Sequence, residues 1–104
     1  IRLSLVGSEM CIRDRPMFNP QGTLHGGIIT TIMDISMGHL IKNEQSAGTT
    51  LELKVNFMSA IKHEKIKCIG SFLKKGRTIS TLDSKLFRED GKLAAYATST
   101  WKIL

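Results

Sequence analysis

From Thr49 to Met58 the chain alternates. Leu51, Leu53, Val55 and Phe57 are apolar, and Glu52, Lys54 and Asn56 between them are polar. A period of two marks a strand with one wet face. Upstream the period changes. From about His25 to Ile41 the apolar residues cover most of a helical circumference, which predicts a buried helix rather than a surface one. Pro16 to Thr23 reads as loop, with Asn19-Pro20 and Gln21-Gly22 as turn signals. The polar stretch from Lys42 to Gly48 ends the helix. Lys65 to Lys74 and Thr78 to Arg88 are further strand candidates, joined by a turn at Lys75-Gly76-Arg77. Asp90-Gly91 is a hairpin signal of type I′, whose central residues need positive φ. Leu93 to Leu104 is the last strand. The order is loop, long helix, then four antiparallel strands, without repeat or linker. Strands that follow a single helix indicate an α+β layer architecture. An antiparallel sheet wrapped around one long central helix is the simplest way to cover both apolar surfaces.

Composition narrows the class. A chain of 104 residues is one small domain. Its 41% hydrophobic and 23% charged residues are those of a soluble globular protein. It has no apolar run long enough to span a bilayer, so no membrane association is expected. Cys11 and Cys68 lack the spacing of a disulfide framework or a zinc site. Reduced thiols, a cytoplasmic location and no metal are the expectation. The formal net charge is +6, which raises the question of nucleic acid. The lysines are scattered, however, and only Lys74, Lys75 and Arg77 form a tight group. A small anionic ligand accounts for that group as well as a polymer does, and no nucleic-acid partner is expected.

The first fifteen residues, IRLSLVGSEMCIRDR, stand apart. They lack the layout of a signal peptide and resemble a translated sequencing-adaptor stretch. On that reading residues 1–15 are a non-native leader, and residues 16–104 are a domain truncated at its N-terminus. A genuine N-terminal strand and turn is the other reading. Three arginines stand against two acids in the segment, so the rest of the chain keeps a net charge of +5.

The candidate chemistry centres on one acid. Asp34 lies among Ile28, Ile29, Ile32, Met33, Ile35 and Met37, and an ionised carboxylate is costly there unless it is paired or solvated. An acid pointing into a solvent pocket, or bonding nearby backbone, would explain it without any function. The neighbouring pattern suggests more. Asn19-Pro-Gln-Gly-Thr-Leu-His-Gly-Gly27, then Asp34, then Val55-Asn-Phe-Met-Ser-Ala60, Lys75-Gly-Arg77 and Asp90-Gly91-Lys92 resembles the hot-dog-fold acyl-CoA thioesterases. The phenylacetate-pathway (PaaI-like) branch is the nearest group. The resemblance covers residues 16–104. Members usually carry an N-terminal helix and first strand where the unusual leader stands here.

The resemblance implies a hydrolase that splits acyl-CoA into free acid and coenzyme A without a further cofactor. The amide of Gly26 would polarise the thioester carbonyl, with Gly27 lining the substrate site. Asp34 would be the general base on water or the nucleophile. Asn19 would orient water or thioester, His25 would hold the loop or substrate, and Thr50 would help position water. Lys74, Lys75, Gly76 and Arg77 would meet the phosphates of coenzyme A. One geometric point requires a second copy: eight helical residues separate Gly26 from Asp34, about 12 Å. The family implies a homodimer, with a further pairing into a tetramer. Its central helices run antiparallel, so Gly26 of one subunit faces Asp34 of the other.

Three competitors remain. A non-catalytic acyl-CoA-binding protein of the same fold has no need of a buried acid. A dehydratase would need a catalytic histidine paired with an acid in a different motif. A basic nucleic-acid module would need more than 6% aromatic residues and a recognisable motif. His39 and His63 read as ordinary, and Tyr96 and Trp101 as packing residues.

Overall fold

The computed structural model describes residues 8–11, 22–62 and 64–104. One helix, α1 (Gly26–Glu44), lies across an antiparallel sheet of β1 (Ser8–Cys11), β2 (Gly48–Phe57), β3 (Lys65–Lys74), β4 (Ile79–Phe87) and β5 (Leu93–Ile103). The spatial order is β1-β3-β4-β5-β2. The strand that directly follows the helix is therefore an edge strand, paired only with the last strand. This is the α+β hot-dog arrangement.

The helix forms because its apolar residues repeat every three or four positions. Ile29, Ile32, Met33, Ser36, Met37 and Ile41 are buried on the sheet. They share one core with Ile66, Cys68, Leu82, Leu86, Ala95, Ala97 and Trp101. Close approach sets small residues at the crossing: a Cβ on Gly38 would come within 3.1 Å of the Trp101 ring. The opposite face is not enclosed. Gly27 and Thr31 are exposed, and Ile35 is 41% exposed. An apolar pattern around the whole circumference predicts burial on all sides, yet the sheet covers one face only. The rest is apolar surface that this chain alone leaves in water.

Three features differ from the pattern reading, besides one-residue shifts at the ends of β2, β4 and β5. The helix runs to Glu44 rather than Ile41. Polar residues do not stop a helix whose last turn faces solvent, and Lys42 there suits the negative end of the dipole. At Asp90-Gly91 the turn is not type I′, because Gly91 alone has positive φ, at 87°. Gly91 N–H donates to Arg88 O at 2.9 Å, and Arg88 N–H to Lys92 O at 2.9 Å. This is a three-residue loop, a type I turn closed by a left-handed glycine. Asp90 keeps negative φ and accepts from Lys92 N–H at 3.0 Å. Third, the sheet has a fifth strand. Ser8–Cys11 pairs antiparallel with β3, Ser8 opposite Cys68 and Cys11 opposite Lys65. Ladder bonds are main-chain bonds, so a segment without a clear apolar pattern can still fill an edge.

At the other edge, β2 stays open among the described residues. Leu51 and Phe57 are both 54% exposed, while Leu53 and Val55 pack against the core. Leu51 has no partner on β5: Thr50 pairs with Trp101 and Glu52 with Thr100, so Leu51 forms a bulge. Among the described residues no helix is long and apolar enough to cross a membrane.

Candidate active site

The helix start offers donors. His25 precedes the first turn, its exposed ring making no capping bond. Its carbonyl accepts from Ile28 N–H at 3.0 Å and Ile29 N–H at 3.1 Å. The amides of Gly26 and Gly27 have no intrahelical acceptor and carry the positive end of the helix dipole. The two glycines differ. A Cβ on Gly26 would come 3.3 Å from the Phe57 ring, whereas one on Gly27 would meet nothing within 4 Å among the described residues. Gly26 thus has a packing reason to be glycine, and Gly27 has none among the described residues. Beside Gly26 opens a pocket of about 360 Å³ whose walls include Leu24, Ile29, Phe57, Met58 and Ser59.

Two turns further on, Asp34 sits half-buried at the boundary between the covered and open faces of α1. Thr50 Oγ1 donates to its Oδ1 at 3.0 Å. Thr50 comes from edge strand β2, so the pair bridges helix and sheet edge. The carboxylate is neither in the dry core nor free in solvent. The second carboxylate oxygen makes no hydrogen bond among the described residues, which suits an acid that must take a proton.

The structure brings Asp34 and Thr50 together, and Gly26 and Gly27 together. It does not bring the two pairs to one point in a single chain. The helix is continuous from Gly26 to Glu44, so the separation of about 12 Å stands. The basic turn lies at the far, C-terminal end of α1. There Lys75 Nζ is 3.3 Å from Glu44 Oε2 and 5.4 Å from the centroid of the Phe72 ring. Lys74 and Arg77 are exposed and form no ion pair among the described residues. Asn19 and His63 lie outside the described residues. A larger pocket of about 490 Å³ is lined by Lys65, Lys67, Phe87, Arg88 and neighbours; it includes none of the candidate residues.

Other chemistry finds little support. Among the described residues no cluster of His, Cys, Asp and Glu could hold a metal ion. Cys68 is fully buried, and burial pushes its thiol up from the ordinary value, which makes it a poor nucleophile. Trp101 is a packing residue whose Nε1 donates to Ser99 Oγ at 2.7 Å. Tyr96 does more than pack: its hydroxyl donates to Asp83 Oδ2 at 3.0 Å, which raises its own pKa. Ser71 Oγ donates to the other oxygen of Asp83. Asp83, only 7% exposed, thus ties β3, β4 and β5 together. Sequence reading missed it because its two partners, Ser71 and Tyr96, lie on two other strands. It also missed the placement of Phe57 on Gly26 and the bonds of the Gln45 side chain to Gly76 and Ser80. Phe57 is legible only as an apolar strand residue, and Gln45 sits in a polar stretch that carries no signal.

The fold is the hot-dog fold, shared with a solved protein of the thioesterase class. The chain belongs to the thioesterase superfamily, whose family model matches residues 21–95. It is 38% identical over 85 residues to a Saccharolobus solfataricus protein provisionally assigned as an esterase, a match covering 80% of this chain and 61% of that protein. It is 35% identical over 86 residues to acyl-coenzyme A thioesterase 13 of Homo sapiens, covering 79% and 61%. The chain therefore spans about three fifths of the curated relatives it matches. The crystal structure of zebra fish thioesterase superfamily member 2 superposes with a TM-score of 0.86 at 30% identity, covering 97% of this chain and 78% of that one.

Proposed function

We propose that this protein hydrolyses acyl-CoA thioesters to the free acid and coenzyme A. The observation that carries the proposal is the Asp34–Thr50 pair. A carboxylate held by one oxygen, beside an open apolar face and within a family of thioesterases, is suited to proton transfer. Water attacks the thioester carbonyl carbon and Asp34 takes the proton from water. The C–S bond breaks, and the departing thiolate of coenzyme A is protonated. Alternatively, Asp34 attacks directly and forms an anhydride that water then opens. In either route the carbonyl oxygen becomes negative and is stabilised by the free amides at the helix start. Coenzyme A is the reading because a relative is named for acyl-CoA hydrolysis and because a cationic turn stands ready for phosphate.

The site is completed by a second copy. β2, ten residues long, is an edge strand among the described residues, and an open edge is a template for another strand. Asp34 is bonded to Thr50, and Gly26 packs on Phe57, so β2 reports where both groups lie along the edge. Two antiparallel copies of β2, with the bulge residue Leu51 looped out of each, would pair Thr50 with Phe57, Leu53 with Val55, and Lys54 with itself. In this register the helix-facing residues of both copies share one side. Gly26 and Gly27 of one protomer then face Asp34 of the other. The dimer also covers Ile35 and the rest of the open helix face.

A free-thiol release assay on purified protein, run over a panel of acyl-CoAs, tests the activity. Thiol release that saturates with substrate is expected. Saturable acyl-CoA binding with no thiol released would instead make this a binding protein of the same fold.

A further inference from the structure

We infer that Gln45 is a positioning residue for the basic turn, holding Lys75 and Arg77 where the phosphates of coenzyme A meet them. The inference rests on the thioesterase reading above. Gln45 follows the last residue of α1, and its backbone N–H donates to Ile41 O at 2.8 Å. Its main chain is therefore fixed to the helix. Its side chain reaches across to the β3–β4 turn and uses both ends of the amide there. Nε2 donates to Gly76 O at 2.8 Å, and Oε1 accepts from Ser80 Oγ at 2.9 Å. Gly76 N–H donates to Ser80 Oγ at 3.0 Å. The three groups close a ring, with Gly76 O, 3.3 Å from Ser80 Oγ, as a longer alternative acceptor for that hydroxyl. Hydrogen bonds linked in this way polarise and strengthen one another.

The geometry confines the turn from the other side as well. A Cβ on Gly76 would collide with the Ile79 carbonyl oxygen, so the loop is tight and only glycine fits. Ser80 is fully buried, which makes it a fixed point. Gly76, the residue between the two cations, is thus pinned by its carbonyl to the helix end and by its amide to β4. The Lys75–Glu44 ion pair also joins turn to helix, but both groups are about half exposed (45% and 51%), and exposed pairs contribute little. Gln45 contacts no reacting atom. It acts by holding the turn in one conformation before the nucleotide arrives, so that less ordering remains to be done on binding.

The test is kinetic. Gln45→Met keeps the length and removes both bonds. Ser80→Ala, which deletes one oxygen, is the second arm in case the first variant folds poorly. Each is assayed on an acyl-CoA and on the same acid carried by N-acetylcysteamine, a thioester without phosphates. The expected result is a KM for acyl-CoA raised about three- to tenfold, the scale of one lost neutral hydrogen bond. The kcat and the kinetics on the phosphate-free thioester should not change. Placed in a Lys75→Ala/Arg77→Ala background, Gln45→Met should add no further rise, because coupled residues are not additive. Equal effects on both thioesters, a fall in kcat, or no effect on either would overturn the assignment while leaving the thioesterase reading intact. A native protein that hydrolyses neither thioester would overturn both.

Discussion

Two substitutions along α1 separate chemistry from packing. Asp34→Asn preserves the size of the side chain and its bond from Thr50 Oγ1. Turnover should fall by about 10²–10⁴-fold, the range for loss of one general acid–base group, while the melting temperature holds or rises. Thiol release and thermal melting on the same preparation check this; near-native kcat would end the proposed role of Asp34. Gly27→Ala asks a different question. No described side chain opposes a Cβ at this position, and alanine favours helix by up to about 1 kcal/mol over glycine. The variant should melt no lower than the native protein, yet lose kcat/KM because the new methyl crowds a substrate approaching the amide. Unchanged kcat/KM would remove Gly27 from the site. At this scale the sequence was informative about type and poor about contact. The acid in an apolar helix and the paired glycines were legible as departures from the local pattern. That Gly26 is packed against Phe57 while Gly27 meets no described side chain was not, because Phe57 lies on a different element, far along the chain from the helix start.

The elements were the most legible level. β3 has the boundaries its pattern predicts, and the other strands and the helix differ by a few residues at their ends, because apolar periodicity follows directly from which face is buried. The misses occurred where main-chain geometry decides. The Arg88–Lys92 loop takes a left-handed glycine after a type I turn, and β1 joins by ladder bonds without a pattern of its own. The position of β2 at an edge also came only from the fold, since strand order depends on long-range pairing. The edge supports a pointed expectation. With Leu51 looped out, Lys54 should meet its own copy on the two-fold axis. Lys54→Cys should then give a covalent dimer on mild oxidation, seen on a non-reducing gel. Glu52→Cys, lying opposite Asn56 rather than itself, should cross-link much less. Sedimentation of the native protein at micromolar concentration should reveal no folded monomer. An active monomer, or strong cross-linking at Glu52→Cys alone, would rule out the register drawn here.

At the scale of the whole molecule, the basic turn lies at the C-terminal end of α1, about 15 Å along the helix from Asp34. In the proposed dimer Asp34 belongs to the reacting centre, so a ligand that touches both that centre and the cations of the same subunit must be extended, as an acyl-CoA is. Arg77 is exposed and forms no described ion pair, whereas Lys75 already faces Glu44. Arg77→Glu should accordingly raise the KM for acyl-CoA with little change in kcat, and the rise should shrink as salt is added, since ions screen exposed charges. A salt-independent KM would place the nucleotide elsewhere. The division of labour between sequence and tertiary structure has a physical origin. The sequence by itself determined the α+β class, the single long helix and the strand periods, and it singled out the acid and glycines proposed for the site. All of these are local: burial period, backbone freedom and the cost of a lone charge are written within a few residues. Only the tertiary structure decided that β2 is an open edge, that Thr50 holds Asp34, that one helix face lies bare, and that Gln45 reaches the basic turn. The two contacts join residues 16 and 31 positions apart, and these contacts, like the open edge and the bare face, are fixed by how the elements pack against one another rather than by any neighbour in the chain.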